Sequence, residues 1–269
     1  MPFYVHGTGS PTKPAPQYTT PTPFPSVETD PHWASVSFLL NPTGQTGLKP
    51  ATEQGPLALP LTWVGDAAYT ANQSPFPGGG SIALDGSGDW ATSAASSAFD
   101  FGSNDLTIES WAYIANDSAA DADGQRTASM VNTWASSGSL SGWNLAIIGS
   151  TATTGTGLAF DTWASGNSTQ FRAIVSVPRS QWNHVAVTVS GGSRRLFLNG
   201  ILLSGSPNIV GSGYTQANSL GNPLRVGATP FPGYPMPLNG YLGPLRITKG
   251  VARYTANFTP PAAPFPTGP

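Results

Sequence analysis

Thr107-Ile108-Glu109-Ser110-Trp111-Ala112-Tyr113-Ile114 reads as a β-strand. Successive side chains of a strand point to opposite faces, so Ile108, Ser110, Ala112 and Ile114 share one face and Thr107, Glu109, Trp111 and Tyr113 the other. Downstream, His184-Val185-Ala186-Val187-Thr188-Val189 gives Val185, Val187 and Val189 a common face. Arg194 to Leu203 reads as two strands joined at Asn199-Gly200, the strongest short hairpin signal. Working outward, the same logic predicts strands at Val36–Leu40, Ser81–Leu84, Leu106–Ile114, Thr127–Trp134, Trp143–Ile148, Gly157–Trp163 and Phe171–Val175. Later strands are predicted at His184–Val189, Arg195–Leu198, Leu224–Val226 and Tyr241–Thr248, with Gly/Ser/Asn/Pro turns between them. No segment of ten or more residues keeps a 3.6-residue period. The pattern is all-β, an antiparallel β-sandwich.

The length, 269 residues, suits one large all-β domain or two small ones. Charged residues are only 9% of the chain, against roughly 25% in an average soluble domain. Gly 32 and Pro 27 keep regular elements short. A net charge of −2 offers no long-range attraction to a phosphate backbone. The one basic doublet, Arg194-Arg195, reads as a solvated hairpin turn, so nucleic acid is not an expected partner. Absence of cysteine excludes disulfides, thiolate catalysis and Cys-ligated zinc. Met1 to Ser10 lacks the basic and apolar regions of a signal peptide, and no apolar run approaches membrane-spanning length. Few lysines and many Thr, Ser, Gly and Asn nevertheless suit a protein exposed outside cells. A virion protein made in the host cytoplasm and released by lysis reconciles the two; a cleaved precursor or non-classical export would also do so.

Residues 1–30 form a Pro-rich arm, because proline lacks the donor that a ladder needs and favours extended polyproline II chain. Its apolar side chains Phe3, Tyr4, Tyr18 and Phe24 are the candidate anchoring contacts, made either on the chain's own domain or on a neighbouring subunit. The sandwich is assigned to residues 31–259. Residues 260–269, with five prolines, are a second Pro-rich tail.

Several segments resemble the laminin-G-like branch of the concanavalin A-like jelly-roll superfamily, in the version common in bacteriophage virion and tail proteins. Asp30-Pro31-His32-Trp33-Ala34-Ser35-Val36-Ser37-Phe38-Leu39-Leu40 is similar to that family's first strand. Its central motif is matched by Ser81 to Trp90 (SIALDGSGDW), Phe99-Asp100-Phe101-Gly102 and Leu106 to Trp111 (LTIESW). Trp182-Asn183-His184-Val185-Ala186 and Phe197-Leu198-Asn199-Gly200 match the next hairpin. Gly240 to Thr259 (GYLGPLRITKGVARYTANFT) resembles the closing strand and tail of phage-encoded members, except that Gly243-Pro244 stands where the family more often carries acidic residues. As framework, Trp111 and Trp182 suit a sandwich core. Arg246, Arg253 and Glu109 are placed to pair and lock the closing strand.

Glycoside hydrolysis needs two carboxylates across a cleft, and related jelly-roll glucanases set them at alternate positions of one strand. The three glutamates Glu28, Glu53 and Glu109 offer only Glu28 with Asp30, at the edge of the arm. His6, His32 and His184 accompany no G-x-S-x-G elbow and no zinc pattern, and His184 reads as a satisfied structural histidine. Gly78-Gly79-Gly80 lacks the helix and Lys of a phosphate loop. Asn116 to Gly124 concentrates oxygen donors, making Asp117, Asp121 and Asp123 candidate calcium ligands, with a solvated Asp-Gly turn as the alternative. For sugars, Trp134 and Trp163 lie in Ser/Gly/Asn-rich surroundings with Asn132, Asn167 and Gln170 nearby; Trp90 and Tyr214 are weaker candidates. Aromatic residues also dominate cores and protein interfaces, so packing is the competing reading for each.

The resemblance implies a non-enzymatic bacteriophage virion structural protein: a head decoration, fibre or tail-associated module displaying a lectin-like sandwich. Its partners would be other virion proteins and copies of itself. The alternative is a carbohydrate-binding adhesin that recognises host surface glycans.

Overall fold

Period-2 alternation along short segments leaves one solution, pairing of strands into sheets that bury one face against each other. The computed structural model describes residues 29–120, 124, 126–134, 141–149, 157–164, 167–204, 208–209, 218–229, 231 and 233–269. In chain order the strands are β1 (Val36–Leu40), β2 (Thr62–Val64), β3 (Ala68–Thr70), β4 (Ser81–Asp85), β5 (Trp90–Ser93), β6 (Leu106–Ile114), β7 (Thr127–Asn132) and β8 (Gly142–Ile148). They continue as β9 (Gly157–Ala164), β10 (Asn167–Ile174), β11 (Trp182–Ser190), β12 (Ser193–Leu198), β13 (Ile201–Leu202), β14 (Asn208–Ile209), β15 (Leu224–Val226) and β16 (Asn239–Lys249). A nine-stranded sheet runs β13-β12-β11-β6-β16-β4-β3, with β1 added beside β16 and β14 beside β12. A seven-stranded sheet runs β10-β9-β8-β7-β15-β5-β2. The pairings are antiparallel, and the two sheets form a jelly-roll sandwich. Among the described residues no helix is long and apolar enough to cross a membrane.

The core between the sheets takes Ile108, Ala112 and Ile114 from β6, Val185, Val187 and Val189 from β11, and Trp143, Leu145 and Phe160 from the facing sheet. Trp143 is fully buried and donates Nε1–H to the Phe99 carbonyl (3.1 Å). The hairpin from β12 to β13 turns at Asn199 (φ 51°) and Gly200 (φ 78°), the two left-handed residues a type I′ turn requires.

Two expectations are corrected. Arg194 is not a solvated turn residue: it is 1% exposed. It sits on β12 opposite Val189 and alternates with Leu196 and Leu198, so strand geometry sends it inward. There its guanidinium donates to Thr162 Oγ1 (2.9 Å) and lies 5.4 Å from the Phe160 ring centroid. Trp111 and Trp182 lie outside the core, because they share the Glu109 face of the nine-stranded sheet. Trp111 packs there edge-to-face on Phe76 (5.5 Å) and His184 (5.2 Å).

β16 is central yet contains Pro244. It pairs with β4 through Asn239–Leu242 and with β1 through Leu245–Thr248, and its register against β6 shifts between Leu242 and Leu245. The residue without an N–H therefore falls where the strand changes partners. Gly243 beside it permits close approach: a Cβ there would stand 2.9 Å from both Pro75 Cγ and Trp111 Cβ.

Part of the outer face of the nine-stranded sheet is covered by residues 251–269, and a buried ion network forms under them. Arg246 on β16 donates from Nε and Nη2 to Glu109 Oε1 (3.0 and 2.7 Å), and Tyr254 donates its hydroxyl to Glu109 Oε2 (2.8 Å). His184 Nε2 stands 3.3 Å from the same oxygen. Arg246 Nη1 also donates to Asp30 (2.9 Å), whose two oxygens accept from Arg253 (3.0 and 2.8 Å). Arg253 thus locks the strand through Asp30, not through Glu109. The tail segment 260–269 forms no strand but is laid on the domain: Phe265 covers the Arg246 guanidinium (4.2 Å) and packs with Val36, Leu39 and Trp33. Gly268 accepts from the Asp30 amide (2.9 Å).

Burial alone would raise the Glu109 carboxyl, but Arg246 and His184 bring it down to about 2. Asp30 is lowered too, burial being outweighed by Arg253 and the His32 amide. A carboxylate depressed on folding contributes stability above its unfolded pKa and loses it as pH falls through the folded value. We expect unfolding free energy to fall by roughly 3 kcal/mol between about pH 4.5 and pH 2 on account of Glu109. In urea titrations Glu109→Gln should flatten that slope, while costing about 3–5 kcal/mol at pH 7 by stranding Arg246. An unchanged pH profile would contradict the assignment.

Candidate functional site

Two surfaces gather polar and aromatic side chains. On the outer face of the seven-stranded sheet, β7 ends at Asn132 and delivers Trp134 onto Trp163 of β9, with rings stacked at 4.5 Å and 18°. Phe231 stacks on the far side of Trp134 at 5.8 Å. Both tryptophans are largely buried, at 5% and 7% exposure, and Trp134 Nε1 is a buried donor without a partner. Residues 227–229, 231 and 233–238 lie against this face, where Met236 accepts at its carbonyl from Ser129 N–H (2.9 Å). Beneath them lies a closed polar chain: Asn132 Nδ2 donates to Ser129 Oγ (2.8 Å) and to the Ala228 carbonyl (2.8 Å), and Ser129 donates to Asn144 Oδ1 (2.7 Å). Arg225 donates to the Trp134 carbonyl (3.2 Å).

Asp161 occupies the same face of β9, diagonal to Arg172, which donates to it at 2.7 Å. Burial raises its carboxyl, with Arg172 opposing. Gln170 is exposed on β10 opposite Asp161. Asn167 opens β10 opposite Ala164. The structure therefore brings Trp134, Trp163 and Gln170 onto one face. Asp161 is the sole acidic residue that the described strands place there, whereas retaining and inverting glycosidases need two. Glu53 serves the fold, accepting from the amides of Leu39 (2.9 Å), Gly55 (2.5 Å) and Leu59 (3.0 Å).

Of the candidate calcium ligands, Asp117 is ion-paired with Arg179. Asp121 and Asp123 lie outside the described residues, as do the arm residues Phe3, Tyr4, Tyr18 and Phe24, and Tyr214. Trp90 is half-buried at the start of β5.

The second surface was not anticipated. Asp66, Asp85 and Asp89 bring one carboxylate oxygen each within 4.8 Å of one another, oxygen donors of the kind hard cations prefer. Asp89 is buried and accepts from the amides of Asp66 (2.9 Å) and Asp85 (3.1 Å). With Asn239, Tyr241 and Ala83 the three acids line a cavity of about 320 Å³. Asp85-Gly86-Ser87-Gly88-Asp89 shows two of the three in sequence; Asp66 joins them only through the loop between β2 and β3.

With this geometry the chain can be compared with known proteins. Residues 85–253, more than half of the chain, match the model of the concanavalin A-like lectin/glucanases superfamily, laminin G type, and the chain belongs to that family. Among solved structures it is similar to domain 4 of AbnA, an extracellular arabinanase of Geobacillus stearothermophilus in complex with arabinotriose. That likeness has TM-score 0.54 and 17% identity, covering 80% of this chain and 93% of the other. It is also similar to the binding domain of Paraclostridial Mosquitocidal Protein 1 (TM-score 0.58, 13% identity, 82% and 50% covered). A third is tailspike protein 2 of Escherichia coli O157:H7 bacteriophage CAB120 (TM-score 0.51, 13% identity, 77% and 27% covered). The chain thus spans half or less of the latter two. No curated protein matches it in sequence.

Burial, then the neighbouring Asp66 and Asp85 carboxyls, raise Asp89. A raised carboxyl opposes folding once it ionises, so stability is lost as pH rises through its folded pKa. Asp85→Asn keeps the acceptor for the Ser87 amide and removes one charge. It should stabilise the fold by about 0.5 kcal/mol at pH 7 and by nothing at pH 3 in urea titrations; a loss of stability at pH 7 would contradict the repulsion.

Proposed function

We propose that the chain is a non-enzymatic surface component of a bacteriophage particle, a head decoration, fibre or tail-associated module with a lectin-like sandwich. The observation that carries this reading is the attachment of the arm. Asp30, where the arm meets the domain, is 2% exposed and held by Arg246, Arg253 and the Gly268 carbonyl. A Pro-rich tether fixed so firmly to a rigid sandwich suits a protein that grips one partner with extended chain and presents a folded domain to the outside. The carboxylates support binding rather than hydrolysis, since Glu53 and Glu109 are spent on the framework and Asp161 stands alone on its face. In this reading the partners are other virion proteins and further copies of the chain, and lysis releases it into the medium. Deleting residues 1–28 should abolish binding to particles lacking the protein, with circular dichroism and thermal midpoint retained; full binding by the deletion variant would refute the arm as tether.

A second reading, an adhesin for host surface glycans, is favoured by the Trp134–Trp163 stack and its neighbour Gln170. The two rings are stacked on each other and only 5% and 7% exposed, so a sugar would meet their edge and the exposed Gln170 amide, not an open ring face. Trp163→Ala should then reduce binding to a host polysaccharide at least tenfold in a glycan array or by calorimetry, with the fold intact. Unaltered binding would remove this face from consideration.

A further inference from the structure

Arg225 is the middle residue of β15, between Leu224 and Val226, which both point into the core. Alternation turns its side chain to the outer face of the seven-stranded sheet, where it stands opposite Asn132 of β7. Trp134, two residues beyond Asn132, lies on that face between Arg225 and Trp163, and its carbonyl accepts from Arg225 Nη1 (3.2 Å). Gly142, opposite Trp163 on the intervening β8, has no side chain to part the two stacked rings. Arg225, Trp134 and Trp163 thus follow one another across the sheet.

Arg172, Arg179, Arg246 and Arg253 are each ion-paired, whereas no carboxylate pairs with Arg225 among the described residues. Its side chain is half-buried, and burial draws its pKa down with no acid opposing. Among the described residues no hydrogen bond engages Arg225 Nε or Nη2, which form one edge of the guanidinium fork, and neither is sealed from solvent. Trp134 Nε1 beside it is a further donor without an acceptor. A cation that has lost part of its hydration is costly until an anion replaces it, and a carboxylate matches the fork with two parallel bonds. We propose that this end of the face binds an acidic glycan, a sugar of the uronic-acid class whose carboxylate is held side-on by Arg225 while its ring lies against the Trp134–Trp163 edge. One guanidinium balances one carboxylate, since Arg172, the other arginine that the described strands place on this face, is already neutralised by Asp161. Asp161 itself stands on β9, three strand spacings from β15, roughly 14 Å and beyond the roughly 8 Å screening length of physiological salt. The inference rests on the adhesin reading and narrows it from glycans at large to acidic ones.

The test is an array of uronate-containing oligosaccharides probed with the full-length chain, each glycan paired with its carboxyl-reduced counterpart, in which the acid has become a primary alcohol. A uronate glycan should bind about tenfold more tightly than its reduced partner, the difference shrinking between roughly 50 and 300 mM NaCl. Arg225→Gln should bind both members of the pair alike, with the thermal midpoint retained. Arg225→Lys, which keeps the charge without the fork, should restore part of the preference. Reducing the ligand needs no variant, so that comparison holds even where a substitution disturbs the fold. Equal affinity of the unaltered chain for the two members, or indifference of the uronate glycan to Arg225→Gln, would overturn the assignment. A preference for poly(ribitol phosphate) over every uronate glycan would overturn it also, by showing a phosphate site. Binding confined to neutral glycans would overturn it and leave the adhesin reading in place, whereas binding of no glycan would overturn both.

Discussion

Glu109 is ionised at neutral pH with none of its surface exposed, and the rest of the molecule is arranged around making that tolerable. Taking a carboxylate out of water costs several kcal/mol unless charge and hydrogen bonds replace its hydration. Arg246 supplies two of those bonds and Tyr254 a third, but Arg246 is then itself a buried cation with bonds to spare. Asp30 takes up that remainder and brings in Arg253. The residues that satisfy Glu109 thus come from the start of the domain, its central strand and the segment after it, so the network can form only when all three are in place.

This constraint divides the sandwich into unequal faces. Residues 251–269 cover the clamp and Phe76 covers Trp111, which leaves one partly open row on the nine-stranded sheet, Trp182–Tyr113–Tyr241. The seven-stranded sheet is covered differently, by Ala228, Phe231 and Met236 beside the Ser129–Asn132–Asn144 chain and by the stacked Trp134 and Trp163. Most polar side chains on both faces are already engaged in holding the fold. Among the described residues, the aromatic edges, the acidic pocket and Gln170 remain open to a partner.

The alternation of Leu106–Ile114 and His184–Val189 was sufficient to place the central strands and to separate their faces, because period 2 is an unambiguous geometric signal. It could not say which face would be the core, since both are apolar enough to be buried; hence Trp111 and Trp182 were expected between the sheets. Arg194 was hidden by the same limit, a charge where strand parity demanded an inward side chain. β2, β3 and β5 have three or four residues each, too few for periodicity to register. Glu109 and Arg246 were legible as partners. The acidic pocket was not: Asp66 and Asp85 meet through tertiary packing, and no local spacing records that contact.

The measurement that bears most directly on the central functional claim is the copy number of this chain in purified phage particles, by quantitative mass spectrometry against the major capsid protein. A fixed, non-zero ratio that survives repeated purification is expected, near that of the shell for a decoration protein and a handful per particle for a tail component. Complete absence from particles would contradict a virion role and leave a free lectin-like protein.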